Sequence, residues 1–203
     1  MNITVIGGSR GTGAQIAIAA RQAGHQVNVV SRSGNAPVGT RAITGSATDP
    51  EVLREAVAGA DAVVVTVGGS RGTSRGRTRV TSAVIDAMRE AGVRRLLVQS
   101  SLGAGNSAAQ LPVPLRQLMK LVLAKPLADH NEQEKAVRES GLDWTIVRPT
   151  GLKNAPPTGT VRALEVADHG TLGGSIPRID LAEFILSVIE DESTIRKAFG
   201  VSS

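Results

Sequence analysis

The chain of 203 residues has no cysteine and no tyrosine, and only one tryptophan and two phenylalanines. Without cysteine there is no disulfide, no thiol nucleophile and no thiolate metal site. With so few aromatic rings there is almost nothing for nucleic-acid bases to stack on. The formal net charge of +5 therefore reads as a surface suited to small anionic ligands rather than to a polynucleotide. No apolar run approaches the ~20 residues of a membrane span, and no basic-then-apolar leader precedes the first β-branched run. The expectation is a cytoplasmic protein with neither a membrane nor a nucleic-acid partner, and the oligomeric state is open.

What the chain has in quantity is glycine, 23 residues, within a hydrophobic content of 41%. Its length suits one well-buried α/β domain over residues 1–203 and is too short for two comfortable ones. The glycines matter most near the start. Asn2–Ile6 is a short β-branched run, followed by Gly7, Gly8, Ser9, Arg10, Gly11, Thr12 and Gly13. An alanine-rich helical pattern and a second strand, Gln26–Ser31, come next. Strand, glycine loop, helix and strand in that order is the context that points to a dinucleotide. Gly7 permits the turn off the strand, Gly11 lets backbone approach a pyrophosphate, and Gly13 lets the helix pack closely. The helix N-terminus then offers N–H groups and a positive dipole end to the phosphates.

The end of the second strand bears on which dinucleotide. An NAD site places Asp or Glu there for the ribose 2′-hydroxyl. Here the stretch is Val30, Ser31, Arg32, Ser33, with no carboxylate. Arg32, with Ser33, Ser31 and Arg10 nearby, is suited to a 2′-phosphate. The expected cofactor is NADP(H) in preference to NAD(H).

Further along, Arg41–Thr44 reads as a third strand, and Asp49–Pro50 starts a helix with Asp49 as N-cap. Residues 61–67 are nearly all apolar, as a central parallel strand requires. They lead into Gly68–Thr73, a repeat of residues 7–12, and Val67 and Gly68 are placed against the cofactor as the fourth-strand exit. Arg71, Arg75, Arg77 and Arg79 follow, read mainly as a solvated cluster. A helix ending at Gly92, a strand over 95–100 and a helix from about Asp129 to Glu139 come next. Residues 111–127 suggest a short helix over a pocket or at an oligomer contact. A strand over 143–147 follows, then an irregular segment from 148 to 175, a helix over 179–189 and a last strand near 198–201. The alternation predicts a single doubly wound parallel sheet, a Rossmann fold with a small C-terminal substrate-loop region.

Asp129, His130, Glu134 and the run Ser140–Pro149 resemble the corresponding segment of the atypical short-chain dehydrogenases/reductases. These include the NmrA-like proteins and the biliverdin reductase B/flavin reductase group. The segments 60–62, 91–95 and 179–182 fit the same pattern. One departure stands in the loop: atypical members commonly have glycine where this chain has Arg10. The resemblance implies that Pro149 and Thr150 meet the nicotinamide end. With the motif, the cofactor-binding set is Gly7, Ser9, Arg10, Gly11, Thr12, Gly13, Arg32, Ser33, Val67, Gly68, Ser100, Pro149 and Thr150.

Ordinary members of that superfamily protonate substrate with a tyrosine that this chain lacks. NADPH can still deliver hydride to an acceptor that needs no strong protein acid, such as a flavin, quinone or tetrapyrrole, and the resemblance to the flavin/biliverdin reductase group implies such a mechanism. Ser100, Ser101 and His130 are the candidate catalytic residues, the serines as hydrogen-bond partners of substrate and His130 as a proton relay. Glu134 is expected to pair with Arg148, and Trp144 to be core. The alternative is a non-catalytic NADP(H)-binding sensor of the NmrA-like type. A sugar-nucleotide epimerase is disfavoured, since it wants the tyrosine and more chain after Arg148.

Overall fold

In the computed structural model, which describes residues 1–68, 75–113, 116–117 and 124–203, ten strands and five helices follow one another. They are β1 (Asn2–Ile6), α1 (Gly11–Gln22), β2 (Gln26–Ser31), β3 (Arg41–Thr44), α2 (Pro50–Val57), β4 (Ala62–Val65), α3 (Gly76–Ala91) and β5 (Arg95–Gln99). Then come α4 (Ala124–Arg138), β6 (Asp143–Pro149), β7 (Gly151–Lys153), β8 (Arg162–Glu165), β9 (Ser175–Pro177), α5 (Arg178–Glu190) and β10 (Lys197–Ser202). Eight strands form one sheet in the order β3-β2-β1-β4-β5-β6-β10-β8, and β7 pairs with β9 beside it. All neighbours in the large sheet are parallel except β10 and β8.

The strands are buried on both faces, which is why β4 is Ala62-Val63-Val64-Val65 without a polar alternation. Val63 and Val65 face a core with Leu53 and Val57 of α2, Val84, Ile85 and Met88 of α3, and Val137 of α4. Ala62 and Val64 face the other core, with Ile16 and Ala20 of α1 and Leu181, Ile185 and Ile189 of α5. Trp144 lies in the first core, with the Arg138 guanidinium 5.1 Å above its ring. This is the doubly wound α/β arrangement of a Rossmann fold.

The chain reverses direction across the sheet between β1 and β4. A crevice therefore opens beyond their C-terminal ends, where ligands of such sheets sit. Because the core strands are parallel, the exits of β1, β2, β4, β5 and β6 share that edge. The second-helix start is as the sequence reads: Asp49 accepts from the Glu51 N–H at 3.0 Å, with Pro50 behind it.

Two expectations need correction. The segment 148–175 is not irregular throughout, since it completes β6 and contains β7 and β8, with β9 opening at its end. And α4 already includes Ala124, five residues before Asp129, whose carboxylate accepts instead from the first turn of α3. The helix expected within 111–127 falls partly outside the described residues, as does most of the repeat at 68–73 with Arg71. Among the described residues no helix is long and apolar enough to cross a membrane.

Candidate functional site

β1 delivers the chain to the crevice, and a turn rich in glycine carries it into α1. A Cβ at Gly13 would lie 2.5 Å from the Gly7 carbonyl oxygen and from Thr66 Oγ1, and 2.9 Å from Gly8 Cα. No side chain fits there, so α1 packs directly on the loop and on the exit of β4. Gly11 holds φ +61°, a left-handed conformation that costs glycine little. Arg10 stands at the N-cap with no side-chain hydrogen bond, and the first turn of α1 has no acidic residue. Its N–H groups are thus left for something outside the helix.

Beside this loop, Arg32 and Ser33 are exposed at the end of β2, the strand whose end approaches the ribose in dinucleotide-binding sheets of this kind. The Ser31 hydroxyl donates instead to the Asn35 carbonyl at 2.9 Å, so it braces the turn and does not join them. Ser9 is half-buried and Arg10 exposed in the loop, Thr12 is buried in the first turn, and Val67 and Gly68 border the crevice from β4.

The β5 and β6 exits build the other half. Ser100 is 3% exposed, and its hydroxyl donates to Glu134 Oε1 at 2.7 Å. Glu134 also takes Arg148 Nε at 2.9 Å and Nη2 at 2.6 Å, a two-pronged ion pair between fully buried groups. Arg148 Nη2 reaches Asn106 Oδ1 at 3.0 Å as well. A Cβ on Gly105 would collide with both charged groups. The expected Glu134–Arg148 pair is therefore present, sealed under the 105–106 turn. His130 Nδ1 lies 3.4 Å from Ser100 Oγ and 3.2 Å from Gln133 Oε1. The Gln133 amide nitrogen donates to Thr81, so its oxygen faces the imidazole and Nδ1 carries the proton. Burial lowers the His130 pKa to about 4, with the Arg77 guanidinium adding to the effect. The ring is neutral at physiological pH, and its one N–H, on Nδ1, is turned to Gln133, so it is not the imidazolium that a general acid requires.

Ser100 and His130 are thus brought together, whereas Ser101 is half-buried and its hydroxyl turns to the Leu102 carbonyl at 3.4 Å. At the end of β6 the Pro149 carbonyl accepts from Leu102 and the Thr150 N–H donates to Val201. What Thr150 has left is its hydroxyl, a buried atom without a partner among the described residues. Gln99 Oε1 and Arg148 Nη1 are in the same position. Of four such side-chain atoms, the fourth being Gln110 Oε1, two, Gln99 Oε1 and Thr150 Oγ1, belong to residues at the ends of β5 and β6, while Arg148 Nη1 is sealed under the 105–106 turn. A close-packed loop with open N–H groups, beside unpartnered donors and acceptors, fits a dinucleotide with a polar ring at its far end.

A family model described as NAD(P)H-binding matches residues 7–192. This chain belongs to the NAD(P)H-binding family. The Bacillus subtilis protein YhfK, described as an uncharacterized sugar epimerase, is 31% identical over 158 residues, which is 75% of this chain and 68% of that protein. A chloroplastic Arabidopsis thaliana protein is 38% identical over 118 residues, or 57% of this chain and 41% of its own length. Among solved structures, ChuY of Escherichia coli O157:H7, an anaerobillin reductase, superposes with a TM-score of 0.83 at 23% identity, over 99% of this chain and 96% of that one. A Veillonella parvula short-chain dehydrogenase/reductase in complex with NADP gives 0.84 at 20%, over 100% and 94%. At such identities the likeness of these structures speaks for the fold alone.

The geometry also brings in residues with no evident role in the sequence. Asn106 shields the ion pair, and Gln99 ends β5 with an unpartnered oxygen. Arg178 opens α5 and reaches the glycine loop: its Nη1 donates to Thr12 Oγ1 at 2.9 Å, and its Nε to Asn154 Oδ1 at 2.9 Å. The signal available was Pro177 before Arg178, a strand-to-helix junction; reading the helix from Ile179 left the arginine just outside it.

Proposed function

We propose that the protein is a cytoplasmic oxidoreductase that uses NADPH in preference to NADH and reduces a small planar acceptor. The glycine loop and the first turn of α1 hold the diphosphate, and Arg32 with Ser33 holds the 2′-phosphate. Val67 and Gly68 flank the nucleotide, while Ser100, Pro149 and Thr150 border the nicotinamide end. NADPH, when bound, supplies a hydride from its nicotinamide ring. The protein's contribution is placement of the two reactants.

The observation that carries this reading is the state of the polar groups beside the cradle. The Ser100 proton points inward to Glu134, the Glu134 charge is matched by Arg148, and His130 is neutral. No proton donor of the usual kind faces the crevice from this group. A flavin, quinone or tetrapyrrole suits such a site, since it accepts hydride and can take its proton from water. The reductase name of ChuY supports the tetrapyrrole class within that set. The epimerase name of the Bacillus relative is not carried over, because the chain has no tyrosine for that chemistry.

The same inward-facing serine favours a second reading, a non-catalytic NADP(H) sensor that signals through a partner. Steady-state NADPH oxidation against a panel of flavins, quinones and tetrapyrroles separates the two. Saturable turnover, slower with NADH, is the expected result. Tight NADPH binding with no turnover of any acceptor, and capture of a partner that depends on the nucleotide's redox state, supports the sensor.

A further inference from the structure

We propose that Arg178, from the last helix of the chain, is the second jaw of the diphosphate site, closing on the phosphates from the side opposite the glycine loop. The inference rests on the nucleotide reading of that loop. The family supplies the ligand; what the geometry adds is a cation in a place that an anion must explain.

Arg178 Nη1 donates to Thr12 Oγ1 at 2.9 Å and lies 3.6 Å from where a Cβ of Gly11 would be. The guanidinium therefore sits at the first turn of α1, the positive end of that helix dipole, where a cation is disfavoured and an anion favoured. It is also the first residue of its own helix, α5, whose first turn holds Asp180. Its hydrogen-bond partners, Thr12 and Asn154, are both neutral. Among the described residues no carboxylate forms an ion pair with it. The nearest acid along its helix is Asp180, fully buried, and it is already taken by the Thr158 N–H and hydroxyl and the Gly159 N–H. A guanidinium held at the α1 N-terminus without an ion-pair partner among the described residues is stabilised when a phosphate oxygen enters between it and the loop. An arginine there can bind two such oxygens at once.

The same contacts tie the site to the 154–160 strap. Arg178 holds Asn154 at one end of it and Asp180 holds Thr158 near the other. The jaw thus comes from a segment some 166 positions away from the loop it closes on.

The test compares the full chain with Arg178→Ala, Arg178→Lys and Arg178→Gln by calorimetric titration with NADPH, NADH and inorganic pyrophosphate, with thermal melts alongside. Arg178→Ala is expected to weaken NADPH, NADH and pyrophosphate alike by about tenfold or more, the loss of a charge-assisted contact to phosphate. Arg178→Lys, which keeps the charge, retains most of the affinity. Arg178→Gln keeps a planar amide for Thr12 and Asn154 without the charge, and should bind as poorly as the alanine variant; it stands in if that variant does not fold. NADPH affinity within twofold of the parent in a folded Arg178→Gln protein overturns the proposal and leaves the nucleotide reading intact. A loss confined to NADPH overturns it too, since the arginine then serves the 2′-phosphate. Parent protein that binds pyrophosphate through Arg178 but no nucleotide upholds the jaw and overturns the nucleotide reading; parent protein that binds none of the three overturns both.

Discussion

At the N-terminus of α3 the protein supplies its own anion, whereas at the N-terminus of α1 it supplies arginines. The Asp129 carboxylate, reaching over from α4, accepts the backbone N–H groups of Arg77 and Thr78 at 3.1 Å each, and the Thr78 hydroxyl at 2.8 Å. Burial alone raises a carboxyl pKa, but these hydrogen bonds outweigh it and hold Asp129 below its ordinary value. The first turn of α1 has no acid and no cap, and is flanked by Arg10 and Arg178. Both ends have the same unpaired N–H groups and the same dipole. One is finished by the fold through a buried carboxylate; the other has no such partner from within. A helix start that is not satisfied from within, on the ligand edge of a parallel sheet, separates a binding site from a structural junction.

The comparison breaks most completely at Gly13. Gly13→Val puts atoms where Gly7, Gly8 and Thr66 already lie. Nucleotide binding should be abolished, read by titration on protein whose circular dichroism still shows the fold; retained affinity in folded protein removes the loop from the site.

Next in size is an effect of the closed region's dryness. His130 follows Asp129 and is surrounded by Gln133, Glu134, Ser100 and the Arg77 guanidinium, with its pKa pushed to about 4 chiefly by burial. An unfolded imidazole titrates near 6.5, so as pH falls the unfolded chain takes up the proton first. The resulting stability is whole above about pH 6.5 and declines toward pH 4, by about 3 kcal/mol. Urea unfolding at pH 7, 5.5 and 4 should show this decline in the parent and a flatter one in His130→Gln. Equal slopes in the two contradict the burial of a neutral ring.

Opening the closed terminus costs less. Asp129→Ala should destabilise the protein by about 1–2 kcal/mol, the worth of a lost cap, with NADPH affinity unchanged. A fall in affinity as large as the fall in stability would merge two regions here held distinct. Smallest is Arg32→Ala, expected to weaken NADPH by about tenfold, or about 1.4 kcal/mol, and to leave NADH alone. Equal losses for both nucleotides would take Arg32 off the 2′-phosphate.

The open terminus is easier to read in the sequence than the closed one. Asn2–Gly13 carries its own context, since strand, loop and helix are contiguous and each glycine has a local reason. Asp129 looks like a helix start because acids favour N-termini, yet the N-terminus it serves is that of α3, some fifty residues earlier. No local pattern records that. β8 is hidden for a similar reason: Arg162–Glu165 is a strand because it pairs antiparallel with Phe199–Ser202, not because of any alternation of its own. Glu134 and Arg148 are legible as a pair through family likeness, while Asn106, Gln99 and Arg178 join the site only when the sheet brings distant strand ends to one edge.

The most direct test of the open terminus is a calorimetric titration of the full chain with NADPH and, separately, NADH. One saturable site, tighter for NADPH, is the predicted result, with a melting temperature that rises with nucleotide concentration as ligand binding to the folded state requires. A flat titration with both nucleotides would contradict the account at its centre.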